Sequence, residues 1–285
     1  MALILLLTGV LALPFGRDTA CARTMVSRDA PQALVIGRIT GKPSSQYEKL
    51  SAFNQFIVEK LADANITQAK VLMASNPEDM AGYLKSGKVD YLSETIFAAL
   101  QFEQRGLADI ALREWKGGVP SYHALVIVRN DSPVRTLEDL TGGTILFEDR
   151  GSTTGFMLPF IHLKAAGLEF STVPGINQST PQQLAYEFVG DETTISGKIL
   201  GGRADAGVIS NEEWGNANKT PDAFRDHLRV ISQTPDTVRS LILTRQGLDP
   251  DLKKRLADVL TSLHKSKKGR DALQHYFRVT KFDHL

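Results

Sequence analysis

Three consecutive hydroxyl side chains, Ser152, Thr153 and Thr154, stand between an apolar segment and the start of a predicted helix. Gly151 and Gly155 flank them and allow the chain to turn there. The backbone N–H groups that open a helix lack partners inside it and carry partial positive charge. With three hydroxyl donors added, they make a site for a tetrahedral oxyanion. One hydroxyl is enough for a helix cap, so the alternative is that Ser152 or Thr153 merely caps the helix.

No motif of a catalytic, metal or nucleotide site accompanies this segment. The sequence contains no H-E-x-x-H, no Walker loop and no dinucleotide fingerprint. The glycines around Ser152 do not have the G-x-S-x-G spacing of a hydrolase. The histidines lack metal-ligand spacing; they are His123, His162, His227, His264, His275 and His284. The sequence therefore predicts no catalytic residue, no cofactor and no metal site, and a protein that is not an enzyme.

The overall composition is that of an ordinary soluble globular protein. The chain has 285 residues, of which 42% are hydrophobic and 23% charged, and its formal net charge is +1. Such a charge gives no general attraction to nucleic acid or to anionic membranes, so an anion has to be recognised by a local site. We expect a small-molecule ligand, no nucleic-acid partner and a monomer.

The N-terminal residues 1–22 have the features of a signal peptide. An apolar run from Leu3 to Leu13 is too short to span a bilayer and precedes the small-x-small sequence Ala20-Cys21-Ala22. Cleavage after this sequence predicts export and a periplasmic location. Cys21 is the only cysteine, which excludes a disulfide within the chain. A lipidated Cys21 is the alternative, although Asp18 stands where a lipoprotein signal needs an apolar residue.

Short apolar segments alternate with amphipathic ones from Leu34 onward, the pattern of repeated βα units on a mostly parallel sheet. The hydroxyl run lies between a predicted strand over Thr144–Phe147 and a predicted helix over Gly155–Ala166. Other strands are predicted over Leu34–Ile36, Val71–Met73, Val89–Leu92, Asp109–Leu112, Tyr122–Arg129, Leu184–Val189, Ala204–Ser210, Leu228–Ser232 and Ser240–Thr244. Other helices are predicted over Tyr47–Leu61, Pro77–Lys85, Thr95–Arg105, Glu192–Leu200, Pro250–His264 and Gly269–Tyr276.

These elements divide into two α/β lobes of similar size. No linker rich in Pro, Gly or Ser separates them, so the chain is expected to cross between the lobes on strands. The predicted boundaries are residues 32–124 plus 232–285 for the first lobe and residues 125–231 for the second. The glycine pair and bulky side chains of Arg113–Gly118 indicate a cleft rim or hinge loop, with an ordinary loop as the alternative.

The middle of the chain resembles a known protein family. Ser152–Pro159 reads Ser-Thr-Thr-Gly-Phe-Met-Leu-Pro, which is similar to the Ser-Thr-Ser-Gly, apolar and Pro sequence of the PhnD-like proteins. These are the phosphate-, phosphite- and phosphonate-binding periplasmic proteins of ABC transporters. Tyr122 with its strand, the turn at Asp131-Ser132-Pro133 and the segment Gly190–Thr194 are similar too. The resemblance covers Leu34–Leu243.

This resemblance implies a fold and a function. The fold would be a two-lobed α/β clamp of the type II periplasmic-binding-protein class, each lobe a mostly parallel sheet flanked by helices. The protein would be the extracytoplasmic solute-binding component of an ABC importer, capturing a phosphonate, phosphite or phosphate between its lobes and working with a permease and an ATPase. A ligand-binding sensor for a membrane receptor and a transferase on the same scaffold are the alternatives.

Residue by residue, the resemblance places the phosphonyl oxygens on Ser152, Thr153 and Thr154 of the second lobe. Tyr122, at the start of the predicted crossing strand, is a further expected ligand contact. Thr154 replaces a serine of the family, which keeps the donor and adds a methyl group. Hydroxyls donate hydrogen bonds without formal charge, which suits reversible capture.

Five further positions depart from the family's pattern or have a structural alternative. Glu94 and Thr95 follow the third strand, and Glu94 replaces an expected tyrosine, which favours a protonated oxyanion or an aminoalkylphosphonate. Its alternative role is a solvent-facing helix cap. Asp191 replaces a histidine beside the ligand, with a helix N-cap as the alternative. Glu212 matches an acidic ligand contact. Arg239 stands where an acid is expected and offers oxygens a bidentate fork, with a surface arginine as the alternative.

Overall fold

Two six-stranded sheets and one short pair of strands form the framework of the protein. The computed structural model describes residues 32–178 and 180–285, so the predicted signal peptide lies outside the described residues. The strands are β1 Gln32–Ile39, β2 Ile66–Ala74, β3 Tyr91–Glu94, β4 Ala108–Lys116, β5 Ser121–Tyr122, β6 Ala124–Arg129, β7 Thr144–Phe147, β8 Glu169–Phe170, β9 Gln183–Phe188, β10 Ala206–Ser210, β11 Leu228–Gln233, β12 Thr237–Val238, β13 Ser240–Arg245 and β14 Val279–Asp283.

The strand order is β14-β4-β13-β3-β1-β2 in the first sheet and β11-β6-β10-β7-β9-β8 in the second. Both sheets are mixed: most pairings are parallel in the second sheet, as predicted, whereas most are antiparallel in the first. In the first, β1 is parallel to β2 and β3, whereas β13 is antiparallel to β3 and β4. In the second, β6 is antiparallel to both of its neighbours, β10 and β11. The antiparallel strands lie next to the points where the chain changes sheets, and local hydrophobic patterns do not encode strand direction.

Helices cover both sheets. They are α1 Pro43–Lys60, α2 Pro77–Lys85, α3 Ile96–Gln104, α4 Leu158–Ala165, α5 Glu192–Leu200, α6 Asn211–Trp214, α7 Asp222–Arg225, α8 Pro250–Ser262 and α9 Lys267–His275. The apolar faces of α1, α8 and α9 pack on the first sheet, and those of α4 and α5 pack on the second. We call each sheet with its helices a lobe. Within the described ranges, no helix combines the length and the hydropathy of a membrane span.

A buried asparagine joins α1 to the first sheet. Asn54 donates to the backbone carbonyls of Leu34 and Lys70, both at 2.8 Å. It also accepts a hydrogen bond from the hydroxyl of Tyr91 at 2.9 Å. Buried polar groups need partners, so this network fixes where α1 sits on β1, β2 and β3. It thereby positions the carboxyl ends of β1 and β3, which carry cleft residues.

The chain passes between the lobes on two short strands that pair with each other. β5 and β12 are antiparallel, with Tyr122 opposite Thr237. The strand predicted over Tyr122–Arg129 is divided at His123, whose backbone N–H donates to the side chain of Asn211 at 3.0 Å instead of to a neighbouring strand. Crossing on strands agrees with the absence of a flexible linker from the sequence.

The last strand, β14, has no counterpart among the predicted elements. It pairs antiparallel with β4, placing Val279 opposite Lys116 and Asp283 opposite Arg113. Arg113 donates to both carboxylate oxygens of Asp283, at 2.9 and 3.0 Å, and the indole N–H of Trp115 donates to the same group. The sequence of β14, five residues of mixed polarity, is locally indistinguishable from that of a loop. Pairing with β4 therefore determines that this segment is a strand.

Gly207→Ala should destabilise the second lobe by about 1–3 kcal/mol, because overpacking displaces neighbouring side chains. A Cβ at Gly207 in β10 would lie 2.8 Å from Ile199 Cδ1 and would clash with Ile195, both in α5. Urea unfolding measures the change. The matched control is Gly82→Ala in α2, where nothing lies within 4 Å of the new Cβ. We expect this control to stabilise the protein by up to about 1 kcal/mol; equal effects of the two substitutions would contradict the packing described.

Candidate ligand-binding cleft

The predicted hydroxyl run opens a helix, and its first member caps it. Ser152 is the N-cap of a π turn over Thr153–Met157 that continues into α4. The Ser152 Oγ accepts a hydrogen bond from the backbone N–H of Gly155 at 2.9 Å. The same hydroxyl bonds to the carboxylate of Glu148. Ser152 is therefore engaged within its own loop, as the capping alternative requires.

Gly155 lacks room for a side chain at this turn. A Cβ there would lie 2.6 Å from the Glu148 Cβ and 2.7 Å from the Ser152 Oγ. Glu148, directly after β7, therefore packs across the start of the turn. Burial raises the pKa of Glu148, and the hydrogen bond from Ser152 opposes this rise.

The other two hydroxyls of the run lie between the lobes. Thr153 and Thr154 are only 2% and 6% exposed, and both bond to the phenol oxygen of Tyr122 on the crossing strand. The Thr153 Oγ1 also accepts a long hydrogen bond, 3.4 Å, from the backbone N–H of Phe97 in the first lobe. We call Tyr122, Thr153 and Thr154 the hydroxyl cluster. It lies where both lobes and the crossing strand meet, and π turns are frequent at functional sites.

A cation covers the hydroxyl cluster. The Arg239 Cζ lies 4.5 Å from the ring centroid of Tyr122, and the Arg239 guanidinium pairs with Glu212 at the start of α6. Burial raises the pKa of Tyr122, although the charge of Arg239 opposes the rise. Tyr122 therefore keeps its proton at neutral pH and can donate a hydrogen bond.

Lys116 and Arg38 add positive charge to the same region. Arg38, near the end of β1, donates to Gln46 and to the backbone carbonyl of Ser93, both at 3.2 Å, and neither partner is charged. Burial lowers the pKa of Lys116 to about 8, and the charge of Arg38 adds to this effect. A lysine whose pKa is lowered by burial and by neighbouring cations is stabilised when an anion binds nearby.

Glu94 lines the cleft and does not act as a solvent-facing cap. Backbone N–H groups of Ile39 and Thr95 donate to its carboxylate, while its Oε1 is buried without a hydrogen-bond partner. Burial raises the pKa of Glu94, and the charges of Arg38 and Lys116 oppose this rise. Thr95 is the N-cap residue of α3, but its side chain makes no capping bond. Glu94 can therefore offer a ligand either a proton or an acceptor oxygen.

The cleft between the lobes contains two cavities. The basic cavity, of about 760 Å³, is lined by Lys116, Lys219, Arg239 and Arg278 together with Glu212 and Glu213. The acidic cavity, of about 680 Å³, is lined by Glu94, Glu148, Asp149, Arg150, Thr95 and Ser152. Arg239 of the basic cavity covers Tyr122, and Phe97 of the acidic cavity bonds to Thr153. The hydroxyl cluster therefore adjoins both cavities.

Two carboxyl groups share a proton in the wall of the basic cavity. The side chain of Glu213 bonds to that of Glu192, and its Oε2 accepts from the backbone N–H of Ser210 at 3.2 Å. Burial raises the pKa of Glu213 to about 8, and Glu192 adds to the rise. Burial also opposes ionisation of Glu192, but hydrogen bonds from Glu213 and Lys219 hold its pKa below the ordinary value. The shared proton and the positive charge of Lys219 thus offset the negative charge of the two carboxyl groups.

Asp191 lies apart from the hydroxyl cluster and caps α5. Its two carboxylate oxygens accept from the backbone N–H and the hydroxyl of Thr194, at 2.9 and 2.7 Å. These bonds lower the pKa of Asp191. The side chain is exposed, and the N-cap alternative is confirmed for this residue, whereas its ligand contact stays a prediction.

The structure gathers the predicted residues into two groups. Tyr122, Thr153, Thr154, Glu212 and Arg239 lie together, whereas Glu94, Thr95 and Ser152 line the acidic cavity. Six further charged residues of the cleft had no clear sequence signal: Arg38, Lys116, Glu192, Glu213, Lys219 and Arg278. Lys116 alone falls in Arg113–Gly118, the segment predicted as a cleft rim or hinge. Across the described ranges, no group of three His, Cys, Asp or Glu side chains is placed to hold a metal ion.

Glu213→Gln should become more stable relative to the parent protein as the pH rises from about 5 to 9. The pKa of Glu213 is about 8 in the folded protein, above its ordinary 4.5, so the folded state keeps a proton that the unfolded state releases in this range. The parent therefore loses stability as the pH rises through this window, whereas glutamine does not titrate. Urea unfolding at several pH values measures the difference, with Glu103→Gln on the exposed surface of α3 as the control. A difference independent of pH would contradict the shared proton.

Comparison with known proteins gives the chain a family. The model of the periplasmic substrate-binding proteins of phosphonate ABC transporters matches residues 39–285. The structure of XAC2383 from Xanthomonas citri, described as bound to chloride ion and in a second structure as bound to ATP, is 31% identical. It superposes with a TM-score of 0.83, over 89% of this chain and 91% of that one.

Two more distant structures share the fold. PhnD1 from Prochlorococcus marinus, in complex with methylphosphonate, is 17% identical with a TM-score of 0.65, covering 90% of this chain and 93% of its own. A binding component of a phosphonate ABC transporter from Pseudomonas aeruginosa is 18% identical with a TM-score of 0.62, covering 89% and 82%. The two-lobed α/β fold is thus the type II periplasmic-binding-protein clamp. With its family model matched over nearly all described residues and a relative above 30% identity, the chain belongs to the periplasmic phosphonate-binding proteins of ABC transporters.

Proposed function

We propose that this protein captures a phosphorus oxyanion, a phosphonate, phosphite or phosphate, at the hydroxyl cluster and presents it to the permease of an ABC importer. One observation carries the proposal: the hydroxyls of Thr153, Thr154 and Tyr122 converge between the lobes, under the guanidinium of Arg239. The oxygens of a tetrahedral anion can accept from several of these donors at once. Hydrogen bonds to a charged acceptor are worth about 1.5–3 kcal/mol each, more than those between neutral groups.

Closure of the clamp follows from the same contacts. The two lobes are joined by the β5–β12 pair, which is only two residues long on each strand. Such a short connection concentrates bending at the crossing. The donors come from both lobes, so a ligand has more contacts in the closed state than in the open state. It therefore shifts the population toward closure by the free energy of those extra contacts.

Hydroxyls and cations have different tasks in this cleft. The hydroxyl cluster supplies directed donors at fixed positions without net charge, and Arg239 with Lys116 supplies the attraction for an anion. Glu94 discriminates between ligands, because its protonated form can donate a hydrogen bond to an oxyanion and its ionised form attracts the ammonium group of an aminoalkylphosphonate. Glu212 neutralises part of the charge of Arg239, which keeps anion binding reversible.

The ligands of related proteins support an anion at this site. PhnD1 is described with methylphosphonate, and XAC2383 with chloride ion and with ATP. All three ligands are anions, and two of them carry phosphorus. XAC2383 is the more informative of the two proteins because its identity with this chain is 31%.

The remaining parts of the proposal follow from the family. Export by a signal peptide over residues 1–22 would release the protein into the periplasm, where it would act as a monomer with the permease and ATPase of its importer. It would bind its ligand without converting it, and without a cofactor. Incubation with methylphosphonate followed by phosphorus NMR tests this point, and any new phosphorus signal would count against a pure binding protein.

A thermal-shift screen with methylphosphonate, aminoethylphosphonate, phosphite and phosphate tests the proposed ligand class. A compound that binds only the folded protein raises the melting temperature, by an amount that grows with its concentration over Kd. We expect at least one of the four to do so with one site per chain in calorimetry. No response to any phosphorus oxyanion would refute the proposal.

Thr153→Val combined with Thr154→Val should weaken binding of the tightest of these compounds at least tenfold, measured by isothermal titration calorimetry. Valine keeps the shape of threonine but removes two donors, each worth about 1.5–3 kcal/mol to a charged acceptor. The matched control is Thr261→Val in α8, where the lost hydroxyl bonds only to helix carbonyls. Melting curves of both variants report whether they fold. Unchanged affinity in a folded double variant would place the ligand elsewhere.

A further inference from the structure

The basic cavity holds more positive charge than one phosphonyl group requires. Its wall carries four cations, Lys116, Lys219, Arg239 and Arg278. Lys219 pairs with Glu192, and Arg239 pairs with Glu212. Within residues 32–178 and 180–285, neither Lys116 nor Arg278 forms an ion pair. Arg278 is thus available to a ligand, and Lys116 is available too, although the charges of Glu114 and Glu94 act on it.

Phe277 holds further cations close together at the edge of this cavity. The side chains of Arg38, Lys49 and Lys116 lie 5.2, 5.6 and 5.7 Å from the centroid of its ring. Attraction between each cation and the ring offsets part of their mutual repulsion. Phe277 and Arg278 adopt φ values of 51° and 57°, a region that bulky residues rarely occupy. This backbone turn brings the ring and the Arg278 side chain to the same wall.

The two acids of the wall do not cancel this charge. Glu212 is engaged by Arg239. Burial raises the pKa of Glu213 to about 8, so this group is mostly uncharged at neutral pH and gives its proton to the bond with Glu192. The basic cavity therefore has a clear excess of positive charge. The acidic cavity has the opposite balance, because three carboxyl groups, Glu94, Glu148 and Asp149, line it beside a single cation, Arg150.

Arg239 links the basic cavity to the hydroxyl cluster. Arg239 covers the ring of Tyr122 at 4.5 Å and also lines the cavity, so a phosphoryl group on the cluster has the cavity as its neighbour. The volume of about 760 Å³ falls in the range of roughly 300–1,000 Å³ that is usual for sites of whole organic ligands. One phosphonyl group would leave most of this space, and the charge of Lys116 and Arg278, unused.

We propose that the ligand is an organic phosphorus compound with two or more linked phosphoryl groups, the first on the hydroxyl cluster and the next among Lys116, Arg239 and Arg278. This inference rests on the proposed function and specifies its substrate class. The hydroxyl cluster fixes the terminal group by directed donors. The cations of the basic cavity bind the following phosphoryl group, and the remaining volume accepts the organic part.

Matched pairs of ligands test the inference by calorimetry at physiological salt. AMP and ADP differ by one phosphoryl group, as do phosphate and pyrophosphate, and methylphosphonate serves as the single-group reference. We expect ADP to bind at least tenfold more tightly than AMP, and pyrophosphate at least tenfold more tightly than phosphate, each at one site per chain. Equal affinities within both pairs would overturn the inference.

A variant pair locates the second phosphoryl group. Arg278→Gln removes a cation of the basic cavity and keeps an unbranched L side chain, so the backbone cost at this position is retained. It should reduce the ADP-to-AMP affinity ratio at least fivefold. The matched control is Arg203→Gln. Arg203 is exposed and precedes β10, at the end of this strand that is far from Ser210, so the ADP-to-AMP affinity ratio should not change. Loss of the ratio in both variants, or in neither, would contradict the assignment.

The outcomes separate the inference from the proposed function. If methylphosphonate or phosphate binds but the second phosphoryl group adds nothing, the inference fails and capture of a simple oxyanion stands. If no phosphorus compound of the series binds to the folded protein, the proposed function fails and the inference fails with it. Tighter binding of ADP that is lost in Thr153→Val with Thr154→Val and reduced in Arg278→Gln supports both.

Discussion

Polar groups that are buried between two lobes need partners, and this requirement governs the cleft. Tyr122 lies on the crossing strand, bonds to the hydroxyls of Thr153 and Thr154 and carries the guanidinium of Arg239 over its ring. These groups lose water when the lobes approach, and an unsatisfied buried donor costs about 1–3 kcal/mol. An oxyanion offers several acceptors to hydroxyls and cations at once. Under the proposed function, ligand binding and closure of the lobes therefore stabilise each other.

Burial also sorts the charges around this junction. Burial raises the pKa of Glu94, and it raises the pKa of Glu213 to about 8, so that Glu213 tends to keep its proton. Lys116, with a pKa lowered to about 8, still carries most of its charge at neutral pH. The cleft is therefore more positive than a count of its acids and bases suggests. A chain whose formal net charge is only +1 can attract an anion in this way, because the pKa of each group depends on how far that group is buried.

Local signals predicted the parts of the fold that depend on near neighbours. The helix predicted over Glu192–Leu200 is α5, since Asp191 caps it and its apolar residues have helical spacing. The hydroxyl run was placed correctly at the start of a helix for the same reason. Strand direction and the final strand β14 were not predicted, because both depend on partners far away in sequence, such as Lys116 opposite Val279. Asp191 caps α5 through local hydrogen bonds to Thr194, which confirms the N-cap alternative that the sequence offered.

The amino-acid sequence by itself determined that three hydroxyls open a helix after a buried strand, and that the surrounding motif is that of an oxyanion-binding family. These features are encoded within a few residues, where capping and periodicity act. Only the tertiary structure decided the partners of these hydroxyls: Ser152 is engaged by Glu148 and Gly155, whereas Thr153 and Thr154 bond to Tyr122 between the lobes. It also decided that Arg38, Lys116 and Arg239 lie around one cleft. Their separation along the chain exceeds the reach of any local pattern, and the order of the strands that carry them sets their distances in space.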